Sequence, residues 1–168
     1  MAIFQKLYRI ETEQFIPISI DEAWGFFSSS WNLKEITPDH MGFVITSKSN
    51  EKMYPGMLIT YIVTPLLGIG MRWCTEITHV KDKSYFIDQQ RFGPYNMWHH
   101  QHHFEEVEGG VMMRDIVNYG IPLGVLGQIA NTIMVRSQLK EIFDYRIQAV
   151  ERLWPVKEGS PEARINFF

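Results

Sequence analysis

Cysteine is almost missing from this sequence. Cys74 stands alone, so the 168-residue chain can close no internal disulfide and offers no Cys-rich zinc or iron–sulfur site. A single thiol fits a reducing compartment. No apolar run reaches the roughly 18 residues that a membrane-spanning helix requires. Charges interrupt the first stretch of the chain, so no secretory leader is expected, and a cytoplasmic location follows as the expectation. Neither sign of charge dominates: the formal net charge is −3, which supplies no basic face for nucleic acid or an anionic membrane. The short catalytic signatures are missing too. There is no G-x-S-x-G, no H-E-x-x-H and no phosphate-binding glycine loop. Repeats and low-complexity segments are also absent.

What is present is a globular composition, 45% hydrophobic and 21% charged, in a chain of single-domain length with enough residues to bury a core. The stretch 122–154 reads as one long helix, opened by Pro122 in its first turn and ended by Pro155. At 1.5 Å per residue it would run roughly 50 Å, so it needs a large partner surface. Its apolar stripe is broken. Leu126, Ile129, Ala130 and Ile133 share one face, whereas Leu139, Phe143, Ile147, Val150 and Trp154 share another. Two arrangements fit this break. The helix bends near Val135–Gln138, or its N-terminal half faces a cavity while its C-terminal half faces solid core. Arg136 and Lys140 are expected to reach solvent along their apolar stems.

The segments before this helix read as strands. Residues 4–18 form the first, followed by Ser19 and Glu22 in a capping-box pattern that starts a short helix over 20–28. A second short helix is expected over 31–36, stopped by Pro38. Strands then follow at 42–47, 57–64, 71–80, 85–92, 97–107 and 111–119, the last two forming a hairpin about Glu108-Gly109-Gly110. Short turns between successive strands imply an antiparallel sheet, and the segregation of strands from helices argues an α+β fold.

The densest polar cluster is Trp98-His99-His100-Gln101-His102-His103-Phe104. Strand alternation puts Trp98, His100, His102 and Phe104 on one face, expected to be concave, and His99, Gln101 and His103 on the solvated one. On the partner strand Asp115, Val117 and Tyr119 share the same face. Four readings stay open at this point. The polar groups orient a bound small molecule, His100 and His102 chelate a metal with Asp115, a His–Asp pair does acid–base chemistry, or buried His and Asp satisfy each other.

The run Gly93-Pro94-Tyr95, Trp98, His100, His102, Phe104, Asp115, Val117, Tyr119, Pro122, Gly124, Gly127 resembles the SRPBCC, or START/Bet v1-like, superfamily. Within it the chain is most similar to bacterial ligand-binding SRPBCC proteins, whose domain also occurs fused to proteins named as cell-division inhibitors. The resemblance implies a helix-grip domain over 1–154, a curved seven-stranded antiparallel sheet around the C-terminal helix, with two short helices after the first strand. Residues 155–168 fall outside it and are expected to be a disordered tail. It also implies a pocket lined by Trp73, Thr75, Trp98, His100, His102, Asp115, Tyr119, Leu126 and Ile133. Its lid would be the segment 65–70 together with the helix over 31–38. The function implied is binding or carrying a small hydrophobic or amphipathic molecule, without cofactor or bound metal. A polyketide cyclase- or aromatase-like enzyme and a chaperone-activator-like interaction module are the alternatives. The sequence leaves the ligand and the oligomeric state open.

Overall fold

The computed structural model describes residues 6–47, 52–66, 69–122 and 124–168. Residues 49–51 of the expected loop and residues 67–68 of the proposed lid segment 65–70 lie outside these described residues. Strand β1 spans Leu7–Ile16 and leads into helix α1, Ile20–Phe27. Ser19 caps α1 as its spacing predicts: its Oγ accepts from the Glu22 N–H at 3.2 Å. The expected second helix is a single 3₁₀ turn, Ser30–Lys34, followed by another at Asp39–Met41. The serine run and Pro38 leave too few residues between them for a full α-helix.

Six strands follow: β2 Val44–Ile45, β3 Leu58–Leu66, β4 Ile69–Lys81, β5 Tyr85–Phe92, β6 Met97–Val107 and β7 Gly110–Gly120. The strand expected over 42–47 shrinks to two residues because Gly42 takes a left-handed φ of 53° and ends the preceding turn. Antiparallel pairing joins β1–β7 into one sheet ordered β2-β3-β4-β5-β6-β7-β1, and a further strand, β8 at Arg164–Phe167, pairs with the outer edge of β1. The sheet thus has eight strands rather than seven. The segment expected to be a disordered tail supplies the extra one. Ile165 and Phe167 alternate inward and pack against a cluster of Ile10, Val117 and Leu139.

The C-terminal helix has three parts: α2 Gly124–Ala130, a π-helical stretch Asn131–Val135 and α3 Arg136–Leu153. A π turn holds one more residue than an α turn, so the faces on either side no longer line up. This is the cause of the broken stripe in the sequence. Gly127 is needed where it stands: a Cβ there would come within 1.9 Å of the Pro122 carbonyl oxygen. Leu139, Phe143, Ala149 and Val150 of α3 are buried against the concave face of the sheet. A solid core fills the end nearest α1, where Trp24 and Phe27 meet Phe86, Phe104 and Val150. Trp154 closes that end, its indole N–H donating to Glu22 at 3.1 Å. A second cluster packs Leu139 and Phe143 of α3 against Ile10, Val117 and Tyr119 of the sheet.

Candidate functional site

In the sheet register, Asp88 of β5 lies opposite His100 of β6, and His102 lies opposite Asp115 of β7. All four side chains therefore share the concave face. His100, His102 and Asp115 are each no more than 6% exposed. The His102 Nε2 lies 3.0 Å from the Asp88 Oδ2, and the His100 Nδ1 lies 3.7 Å from the same oxygen. On their far sides both rings meet one atom, the Asp115 Oδ1, at 2.7 Å from the His102 Nδ1 and 3.4 Å from the His100 Nε2. The approach to His102 is close but off the N–H axis, so it acts as an ion pair rather than a linear hydrogen bond. Arg146 reaches down from α3 and places its guanidinium 3.4 Å from the other Asp115 oxygen.

Burial alone would push the Asp115 carboxyl up, but the charge of His102 and the contacts with both imidazoles outweigh it and hold the group well below the usual carboxylate range. For His102 burial opposes the charged form, yet Asp115 and Asp88 prevail and raise it. His100 goes the other way: burial, with the charge of His102 beside it, lowers it. The two rings have centroids 3.8 Å apart, so a proton on one disfavours a proton on the other.

This cluster forms one wall of a cavity between the sheet and α3, with about 180 Å³ of internal space open to a water-sized molecule. The other walls are apolar, from Ile59 and Val63 of β3, Trp73 of β4, and Leu139, Ile142 and Phe143 of α3. Leu33 and Met41 of the two 3₁₀ turns, with Ile36 between them, close one side. Tyr61, Tyr95 and Trp98 surround Trp73 in an aromatic group with ring centroids 4.8–5.8 Å apart. Tyr61 also shares a 2.9 Å hydrogen bond with Thr75.

Of the residues expected to line a pocket, Trp73, Thr75, Trp98, His100 and His102 do so. Asp115 stands behind the histidines rather than at the cavity surface, and the buried Tyr119 donates its hydroxyl hydrogen bond to Asn131 at 3.1 Å. Leu126 and Ile133 do not reach the cavity; they are 69% and 72% exposed. The π stretch turns their face outward, and the cavity is lined by α3, the half that one of the two arrangements placed against solid core. Arg136 and Lys140 are exposed, as expected. Alternation put Asp88 and Gln90 on one face of their strand without assigning either to the site, and it left out Arg146. Arg146 had a signal, since it follows Leu139, Ile142 and Phe143 at helical spacing.

The sequence matches no protein-family model and no curated protein. Solved structures do match. A START superfamily protein from Mycobacterium smegmatis superposes with a TM-score of 0.66 at 12% identity, over 88% of this chain and 97% of that one. The chain shares the fold of that protein. Ara h 8.0201 gives a TM-score of 0.55 at 15% identity, over 88% of this chain and 99% of that one. A protein from Arthrobacter aurescens gives 0.62 at 10% identity, over 92% of each chain. Among the described residues, no helix is long and apolar enough to cross a membrane.

Proposed function

We propose that the protein binds and carries a small apolar or amphipathic molecule between its sheet and α3, in the manner of the ligand-binding SRPBCC proteins that its motif resembles. The observation that carries this reading is the cavity, apolar on most walls and polar where His100 and His102 stand. Its volume of about 180 Å³ bounds the cargo. An engineered cavity of about 150 Å³ takes up benzene, so one ring or a short branched chain fits without rearrangement. The aromatic group around Trp73 would bury the body of the molecule, and the histidine wall would face its polar end. A single thiol favours a cytoplasmic site of action.

Native mass spectrometry of protein purified from its own host tests the proposal. A co-purifying molecule of one-ring size is expected. Val63→Phe, which fills the space from β3, should abolish its retention while leaving the circular dichroism unchanged. Retention of the same molecule by Val63→Phe would overturn the reading.

The cyclase-like alternative draws on one observation, the 3.0 Å pairing of His102 with Asp88 at the cavity wall, which suits a general acid–base group. It predicts turnover that disappears in His102→Ala.

A further inference from the structure

We infer that Asp88, His100 and His102 form a binding site for one divalent transition-metal ion, of the zinc class, at the polar wall of the cavity. The first ground is the spacing of the donor atoms. Four-coordinate zinc holds imidazole nitrogen and carboxylate oxygen at about 2.0–2.1 Å, which sets neighbouring donors about 3.3 Å apart. The two histidine nitrogens that face Asp88 lie 3.0 and 3.7 Å from its Oδ2, on either side of that value. All three donor atoms fall within 4.8 Å of one another, so an ion can sit among them with small side-chain adjustments.

The second ground is independent of the first. A metal-binding histidine usually gives its other ring nitrogen to a carboxylate or carbonyl, which fixes the ring and raises its basicity. Here both rings place that nitrogen beside the same carboxylate, Asp115. The nitrogens that face away from Asp88 lie 2.7 Å (His102) and 3.4 Å (His100) from the Asp115 Oδ1, as ion-pair contacts rather than linear hydrogen bonds. Arg146 holds that carboxylate from behind at 3.4 Å. Mutual satisfaction of two imidazoles by two carboxylates would pair each ring with its own carboxylate; here both rings have Asp88 on one side and Asp115 on the other. Two imidazoles and one carboxylate suit zinc and its neighbours rather than magnesium or calcium. All three ligands border the cavity, so the fourth coordination position opens onto it. Water or an oxygen of a cavity-bound molecule would complete the shell there.

The experiment uses the whole chain, stripped with EDTA and freed of bound organic molecules, with Zn²⁺ or Co²⁺ as the only additions. Wild type is expected to retain one zinc per chain through gel filtration and to give the intense visible bands of four-coordinate Co²⁺. Asp88→Asn, which keeps the shape of the side chain, should abolish retention. Asp115→Asn should weaken zinc affinity by about 10–100-fold without losing the four-coordinate Co²⁺ spectrum. No retained zinc in wild type overturns the proposal, and that result does not depend on any variant folding. Equal retention by wild type and Asp88→Asn overturns it too, by placing the ion elsewhere, for example at the surface pair His40–Glu141. Because no organic ligand is present, this result stands apart from the carrier reading: either can fail alone.

Discussion

Asp115 is 2% exposed and has its charge balanced by two imidazoles and a guanidinium. Desolvating such a group is expensive, and the geometry around it offsets that expense only while every partner is present. Arg146 is the partner that comes from the helix rather than the sheet, so it also ties α3 to β7. Arg146→Met keeps most of the apolar stem and removes the charge. We expect it to lower stability by about 3 kcal/mol, the order found when one member of a buried pair is deleted. Urea denaturation should show this as a lower midpoint with an unchanged slope; an unchanged midpoint would mean that the sheet histidines alone support Asp115. At this scale the sequence was legible where a period of two applied. Alternation along β6 and β7 put His100, His102 and Asp115 on one face without any coordinates. It could not show that Asp88 meets two rings at once, because that depends on the stagger between β5 and β6. Leu126 and Ile133 failed for a different reason. Helical spacing tells which residues share a face, not whether that face looks inward.

At the scale of elements, the helix was readable as one unit and its interruption was readable as a displaced stripe. The nature of the interruption was not. A π stretch is defined by its backbone hydrogen bonds, and no residue type marks it. Its location has a side-chain correlate in the structure: Asn131, its first residue, is 3% exposed and accepts the Tyr119 hydroxyl hydrogen bond. This contact ties the irregular stretch to β7. Asn131→Ala removes the acceptor and leaves a buried phenol without it, which should cost about 1–3 kcal/mol. The loss should be local. Amide hydrogen exchange is expected to rise over α2 and the π stretch while α3 stays protected, since α3 has its own buried face against the sheet. Uniform loss of protection along all three parts would show that the helix unfolds as one piece instead.

For the whole molecule, the order of strands and the grip of sheet on helix followed from turn signals and periodicity, because short loops force antiparallel neighbours. The last strand did not. β8 has four residues, too few for alternation to stand out, and it follows Pro155 and Pro161. Its place is fixed by β1, whose free edge it covers from Ile10 to Glu13. The interior enclosed in this way is rich in phenols, and this gives the molecule a predictable alkaline limit. Burial pushes Tyr61 well above the usual phenol range, with the Asp88 charge adding to it. Burial does the same to Tyr95. Tyr119 is pushed up to about 12, again chiefly by burial. An unfolded phenol ionises near pH 10. Below that value both states keep their protons and the groups contribute no pH dependence. Above it the unfolded chain releases protons that the folded one retains, so stability falls by about 1.4 kcal/mol per pH unit for each buried phenol. The decline from Tyr119 ends near its folded value of about 12, whereas Tyr61 and Tyr95 extend it further. Three such groups acting together should unfold the protein cooperatively between about pH 10 and 12. Phenolate absorbance and circular dichroism followed on one titration check this. The buried tyrosines should ionise in the same step that the ellipticity collapses, and Tyr95→Phe should move that step to higher pH. Smooth ionisation of all tyrosines with the ellipticity intact would mean that the rings around Trp73 are open to water.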